Sequence, residues 1–317
     1  MAILCVGQLV ADIVARPVDR LPHPGRCDLI EDLRLVAGGC AANTAGVLAK
    51  LGVNVSVVGM VGKDAMGDAV LADLAAVGVD TTRVLRSLDT PTSAVIVIVD
   101  SLGERSFMYR AGGNEKLTNE HIPDSAFSAV NWVHVGGAMK LAQLDLSTFL
   151  RRARQAGCMT SLDTDWDVSG HWMSHLDDAL GSIDYLMTNQ EEGSMLSGTN
   201  HPETIGKFLL RRGPRAVVIK RGELGSTLVT HSSCAHFPAY PADVVDTTCA
   251  GDSFVAGFLC GISRGLDLVQ AMELGNATGA LCTTDSSHTA VVSLEAAMQL
   301  ALSLPERNTT TADLNGD

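Results

Sequence analysis

Two acids six residues apart frame the run Asp246-Thr-Thr-Cys-Ala-Gly-Asp252, which passes straight into the apolar stretch Ser253–Leu259. A turn of small residues at a helix start lets backbone N–H groups approach an anion, and the helix dipole adds a field favouring negative charge. Asp252 would then stand beside an anion site, where a carboxylate can take the proton of an attacking hydroxyl. A base next to the pre-aimed N–H groups of Cys249, Ala250, Gly251 and Asp252 is the equipment of phosphoryl transfer to an alcohol. The same residues also describe an N-capped helix with a small-residue entry, and the local pattern does not separate these readings.

The rest of the chain does. Ala37-Gly38-Gly39-Cys40-Ala41-Ala42-Asn43-Thr44-Ala45-Gly46 is a second small-residue run, followed by the strand pattern Val53–Val58 and by Gly59-Met-Val-Gly62-Lys63-Asp64. Gly7-Gln-Leu-Val-Ala-Asp12, Asn189-Gln-Glu-Glu192 and Lys220-Arg-Gly222-Glu-Leu-Gly225 complete an ordered series. In order and spacing these runs resemble the ribokinase, or PfkB, family of carbohydrate kinases over about residues 2–302. The resemblance implies an α/β, ribokinase-like fold with a mostly parallel central sheet flanked by helices and a small β-sheet lid. It implies ATP-dependent phosphorylation of a sugar hydroxyl, with magnesium as metal and Asp252 as general base. It leaves the acceptor open among sugars, nucleosides and phosphosugars.

The other site residues take their roles beside that resemblance. Asp12 follows the first strand, where a carboxylate accepts hydrogen bonds from vicinal hydroxyls; Gly38, Gly39 and Asn43 would complete that wall. Arg110 and Asn114 end the hairpin expected to close over the acceptor, and Asp163 and Asp165 end a strand facing the same region. Arg110 and Lys140 are candidates for a phosphate already on the substrate. Asn189 and Glu192 match the family's magnesium and phosphate motif, in which one carboxylate acting through water suffices. The spacing selects Glu192 over Glu191, although acids in the first turn of a helix are favoured for dipole reasons alone. Lys220, Gly222 and Gly225 would border the nucleotide, and Asn276 matches a position near the adenine in relatives.

Asp246 and Thr248 correspond to a monovalent-cation site in the family. The Gly-Ala pair usual in its second loop is missing from Thr284–Ala290, so a potassium site and a plain turn cap both remain open. Cys249 replaces the usual Gly or Ala. It is either an inert packing thiol or one whose pKa falls beside a helix N-terminus.

Apolar strand-like runs at Ile3–Val6, Val55–Val58, Trp132–Val135, Met159–Leu162, Tyr185–Met187 and Ala216–Ile219 must carry these residues. They alternate with helical patterns at Asn43–Leu51, Ala65–Val77, Leu144–Ala156 and Pro202–Arg212, as βαβ units do. Ligands then gather at the carboxyl ends of the strands. Segments 13–35 and 92–110 break the alternation, the latter as a hairpin turning near Ser101–Gly103; both fall where the family inserts its lid. The apolar lid face needs a cover, which predicts a homodimer through the lid. Residues 1–304 form one kinase domain on this reading, and 305–317 a mobile tail.

The 317 residues are 46% hydrophobic, ample for a core, and the net charge of −13 argues against a nucleic-acid surface. Eight cysteines are scattered without metal spacing, and there is neither a signal peptide nor an 18-residue apolar run. The expectation is a reduced, cytoplasmic protein that binds no membrane. The absence of a Walker loop and of a dinucleotide fingerprint excludes those nucleotide folds. Two alternatives stand: a nucleoside kinase, against which the 4% aromatic content leans, and a sensor that keeps the fold without catalysis.

Overall fold

The computed structural model describes residues 1–284 and 292–303 and the backbone of 312–313. The chain opens with β1 (Ala2–Gly7), β2 (Val10–Arg16) and β3 (Asp32–Gly38), then α1 (Cys40–Lys50), β4 (Asn54–Val58), β5 (Met60–Gly62) and α2 (Ala65–Ala76). A short β6 (Leu85–Ser87) precedes the hairpin of β7 (Ser93–Val99) and β8 (Arg105–Arg110). Strands and helices then alternate as β9 (Trp132–Gly136), α3 (Leu146–Gln155), β10 (Met159–Asp163), α4 (Met173–Leu180), β11 (Tyr185–Asn189), α5 (Gln190–Ser197), α6 (Pro202–Leu210) and β12 (Ala216–Lys220). The last part comprises β13 (Ser226–Thr230), β14 (Ser233–Phe237), α7 (Ala250–Ser263), α8 (Leu268–Cys282), α9 (Leu294–Ala301) and β15 (Ala312–Asp313).

Strands β4, β1, β9, β10, β11 and β12 lie side by side and parallel; β13, β14 and β15 extend the sheet antiparallel. The central strands are largely buried and mostly apolar because helices cover both faces. One core joins α1, α7 and α8 to one face through Leu48, Val255, Phe258 and Met272; the other packs Phe149, Leu176 and Leu209 against the opposite face. Register brings Gly7, Gly136 and Asp163 to one level and Asn189 level with Lys220, so the carboxyl ends form one edge. The order reverses at β1, and the crevice there is the place where open α/β sheets bind ligands.

The lid is a four-stranded sheet in the order β3-β2-β7-β8. Its strands reach beyond the expected 13–35 segment: β2 begins at Val10 and β3 ends at Gly38, so Asp12 and Gly38 belong to the lid. The 92–110 hairpin forms as expected. Most of the tail expected at 305–317 lies outside the described residues, but Ala312–Asp313 pair with β14.

Candidate active site

Helix α7 points its N-terminus at the carboxyl edge of the sheet. Its N-cap Cys249 adopts a left-handed backbone (φ 62°) and makes no side-chain cap. The Ala250 N–H turns back to Thr247 O, so Gly251 and Asp252 carry the forward donors of the first turn. A side chain at Gly251 would crowd Lys220, with Cβ 3.3 Å from Nζ.

Asp252 is buried, and its Oδ2 accepts from Asn43 Nδ2 at 2.8 Å. Asn43 stands one turn into α1, behind Gly39, so two helix starts converge on one carboxylate. Burial and the neighbouring charge of Asp163 push the Asp252 pKa up to about 7. Asp12 is pushed to about 7 as well, by burial and then by the charge of Asp252. Gly38 pairs beside Asp12 on the lid, and a Cβ there would lie 2.1 Å from the Asp12 carboxylate. Only glycine leaves that carboxylate its place.

Three residues at the sheet edge take their character from their surroundings. Asp163 does not face the acceptor alone, because Lys220 Nζ donates to both of its oxygens at 2.7 Å. Lys220 is therefore a paired, largely buried ammonium rather than a solvated one, and it lies beside Gly251. Burial opposes its charge, but Asp163 and Glu192 outweigh burial and raise its pKa. Cys249 is buried, and burial, followed by the charge of Asp252, raises its thiol pKa rather than lowering it. It is a packing thiol.

Glu192 is buried in a reciprocal cap: its N–H donates to Asn189 Oδ1 at 2.8 Å, and its Oε1 accepts from Asn189 Nδ2 at 2.7 Å. Thr164 Oγ1 also donates to it. Burial raises the Glu192 pKa, and Lys220 opposes that rise. Glu191, next to it, is exposed. Among the described residues no cluster of three metal-ligating side chains exists. Yet Asp163, Glu192 and Asp252 surround one lysine, with Asp165 close to the latter two acids, and Glu192 offers hard oxygen. A triphosphate added to that field needs cationic compensation, so magnesium fits here as an ion brought by phosphates and held through water.

On the far side of α7, Arg221 N–H donates to Gly225 O at 2.8 Å, closing the turn that contains Gly222. Gly225 (φ 81°) admits no side chain, since a Cβ would lie 2.0 Å from Phe237 O. Asn276 is buried on α8 and donates to Pro238 O at 3.2 Å, so it pins the strand exit beside this turn.

Cross-strand register gives the lid two faces. Val36, Asp12, Val95 and Tyr109 form one row; Arg34, Val14, Val97 and Phe107 the next; Val99 and Arg105 lie toward the tip. The face with Asp12 fronts α7. Arg110 alternates to the other face, beside Ala94, and its Nη2 donates to Thr92 O at 2.6 Å. Asn114 is fully buried and clamps Leu9, accepting from its N–H and donating to its O at 3.0 Å each. Arg110 thus turns to the other lid face, whereas Asn114 holds Leu9 and neighbours Tyr109, which shares the site face with Phe107 and Arg105.

Sequence reasoning passed over Gln8 and Arg105. Gln8 Nε2 donates to Asp165 Oδ2 at 2.6 Å, tying the end of β1 to the loop after β10. Lys140, in turn, donates to Trp166 O in that loop. Arg105 pairs with Asp246 at 3.3 Å and donates to the hydroxyls of Thr247 and Thr248. Residue alternation was its available signal, because Arg105, Phe107 and Tyr109 share a strand face. Among the described residues, the Asp246 carboxylate and the Thr247 and Thr248 hydroxyls thus take their positive partner from this guanidinium. The second loop of that expected site, from 285 on, lies outside the described residues.

A buried carboxylate at a helix N-terminus, opposed by a second carboxylate on a β-sheet lid, defines a ribokinase-like phosphotransferase. The pfkB family carbohydrate kinase description matches residues 2–295, and the chain belongs to that family, phosphotransferases with an alcohol group as acceptor. It is 31% identical over 256 residues to the 2-dehydro-3-deoxygluconokinase of Bacillus subtilis (strain 168), covering 77% of this chain and 79% of that one. It is 28% identical over 283 residues to a nucleoside kinase of Methanothermobacter thermautotrophicus, covering 89% of each. The structure of Arabidopsis thaliana ribokinase complexed with ribose and ATP superposes with a TM-score of 0.81 at 26% identity, over 95% of this chain and 99% of that one. No helix among the described residues is long and apolar enough to cross a membrane.

Proposed function

We propose that the protein is an ATP-dependent sugar kinase with Asp252 as general base. The observation that carries this reading is the Asp252 carboxylate, buried, held by Asn43 and placed in the first turn of α7. Asp12 accepts the acceptor's hydroxyls, with Gly38, Gly39 and Asn43 completing the wall. Asp252 takes the hydroxyl proton as that oxygen bonds to the γ-phosphorus and the bond to the bridging oxygen of ADP breaks. The amides of Gly251 and Asp252 meet the charge that develops on the transferred group. Asn189 and Glu192 would hold magnesium at the phosphates, where it would supply charge neutralisation. Gly222, Gly225 and Asn276 border the nucleotide. The Lys220–Asp163 pair fixes the floor beneath Gly251.

A nucleoside is the second reading, favoured by Tyr109 and Phe107 in the rows beside Asp12. A panel of sugars and nucleosides, scored by acceptor-dependent ADP formation, decides between them. Activity with none of them leaves a sensor and refutes the kinase reading. The other lid face exposes Leu33, Leu35, Ile96 and Met108, which supports a homodimer through the lid. Light scattering that finds only monomer at micromolar concentration removes that assembly.

A further inference from the structure

We propose that Arg105 is a positioning residue of the phosphoryl-transfer centre, its guanidinium locking the lid tip onto the Asp246–Thr248 turn and supplying from the chain itself the positive charge beside Asp246. The proposal rests on the kinase reading of the α7 cradle. Arg105 begins β8, at the tip end of the lid face that carries Asp12. Its Nη1 pairs with Asp246 Oδ1 at 3.3 Å and also donates to Thr248 Oγ1, while Nη2 donates to Thr247 Oγ1. The side chains of the pair are 22% and 14% exposed, well below an ordinary surface ion pair. A planar fork that meets a carboxylate and two hydroxyls is a task for arginine, not for a point charge.

What the fork holds gives it a role in the reaction. Asp246 Oδ1 also accepts from Thr248 N–H at 2.7 Å, and the N–H groups of Val245 and Asp246 both donate to Thr283 O. The next residue, Cys249, takes the left-handed conformation from which α7 starts. A shift of the Asp246 carboxylate therefore moves the amides that face the transferred group. The contact joins segments 141 residues apart, so it exists only when lid and turn are together. Closing over the acceptor and shaping the cradle become one event, and the turn needs no mobile cation.

The test is turnover of wild type, Arg105→Gln and Arg105→Lys with an accepted substrate, in potassium, sodium and tetramethylammonium buffers. Wild type should be indifferent to the cation. Arg105→Gln should lose at least ~10-fold in kcat while its nucleotide KM stays within about threefold, since the lost contact acts on the transition state. Guanidinium ion should restore part of that loss, which no merely structural defect would allow; Arg105→Lys, keeping charge without the fork, should fall between. A wild type that needs potassium, or an Arg105→Gln variant within about twofold of wild type, overturns the proposal and leaves the kinase reading standing. A wild type that forms no ADP with any sugar or nucleoside removes both.

Discussion

Replacing the proposed base should make the protein more stable while stopping its reaction. Asp252 is raised from 3.8 to about 7 by burial and the charge of Asp163. The folded protein thus keeps a proton that the unfolded chain releases. The stability tied to that proton is complete below pH ~4 and is lost as pH rises through about 7. At roughly 1.36 kcal/mol per pH unit, the cost of holding Asp252 ionised above pH 7 is about 4 kcal/mol. Asp252→Asn removes it and keeps an oxygen to accept from Asn43. The expected gain is about 2–4 kcal/mol, because an amide buried among acids is not fully satisfied. With an unfolding entropy of about 2.1 cal/mol/K per residue, 1 kcal/mol moves the midpoint of a chain this long by about 1.5 °C. Calorimetry of the ligand-free variant at pH 8 should therefore show a rise of about 3–6 °C, and about 3 °C less than that at pH 5.5. Turnover should drop by at least ~10²-fold, and the wild-type rate should climb with pH through about 7. An Asn variant that melts at or below wild type at pH 8, or that turns over normally, refutes the reasoning.

Three further outcomes follow from the same geometry. Glu192→Gln should raise the magnesium requirement and lower the rate, while exposed Glu191→Gln does much less; equal effects in a magnesium titration would show the motif misplaced. Lys220→Met leaves the Asp163 carboxylate buried without its partner and should cost about 3–5 kcal/mol in denaturant unfolding. A cost below about 1 kcal/mol would mean that Asp163 reaches water. Asp12→Ala should weaken the acceptor by roughly 1–3 kcal/mol with nucleotide KM little changed, and full acceptor affinity would move the acceptor site elsewhere.

Much of this was legible before any coordinates. Strand and helix alternation followed from apolar runs that only a two-sided parallel sheet can bury, and the small-residue runs at Gly38–Gly39 and Ala250–Gly251 marked where backbone must approach closely. These are local signals of composition and period. The tertiary structure alone decided which polar groups spend themselves on each other. Asp163 and Lys220 lie 57 residues apart. Each looked like a ligand group until parallel strands brought them to one edge, where neither buried charge is tolerable without the other. Arg110 and Arg105 sit on one strand, and sequence favoured the first. Alternation set them on opposite faces, and only the fold of the lid over α7 showed which face meets the site. At Cys249 the sequence left a packing thiol and an activated one both open; burial decides for the packing thiol, and burial is a property of packing rather than of sequence order.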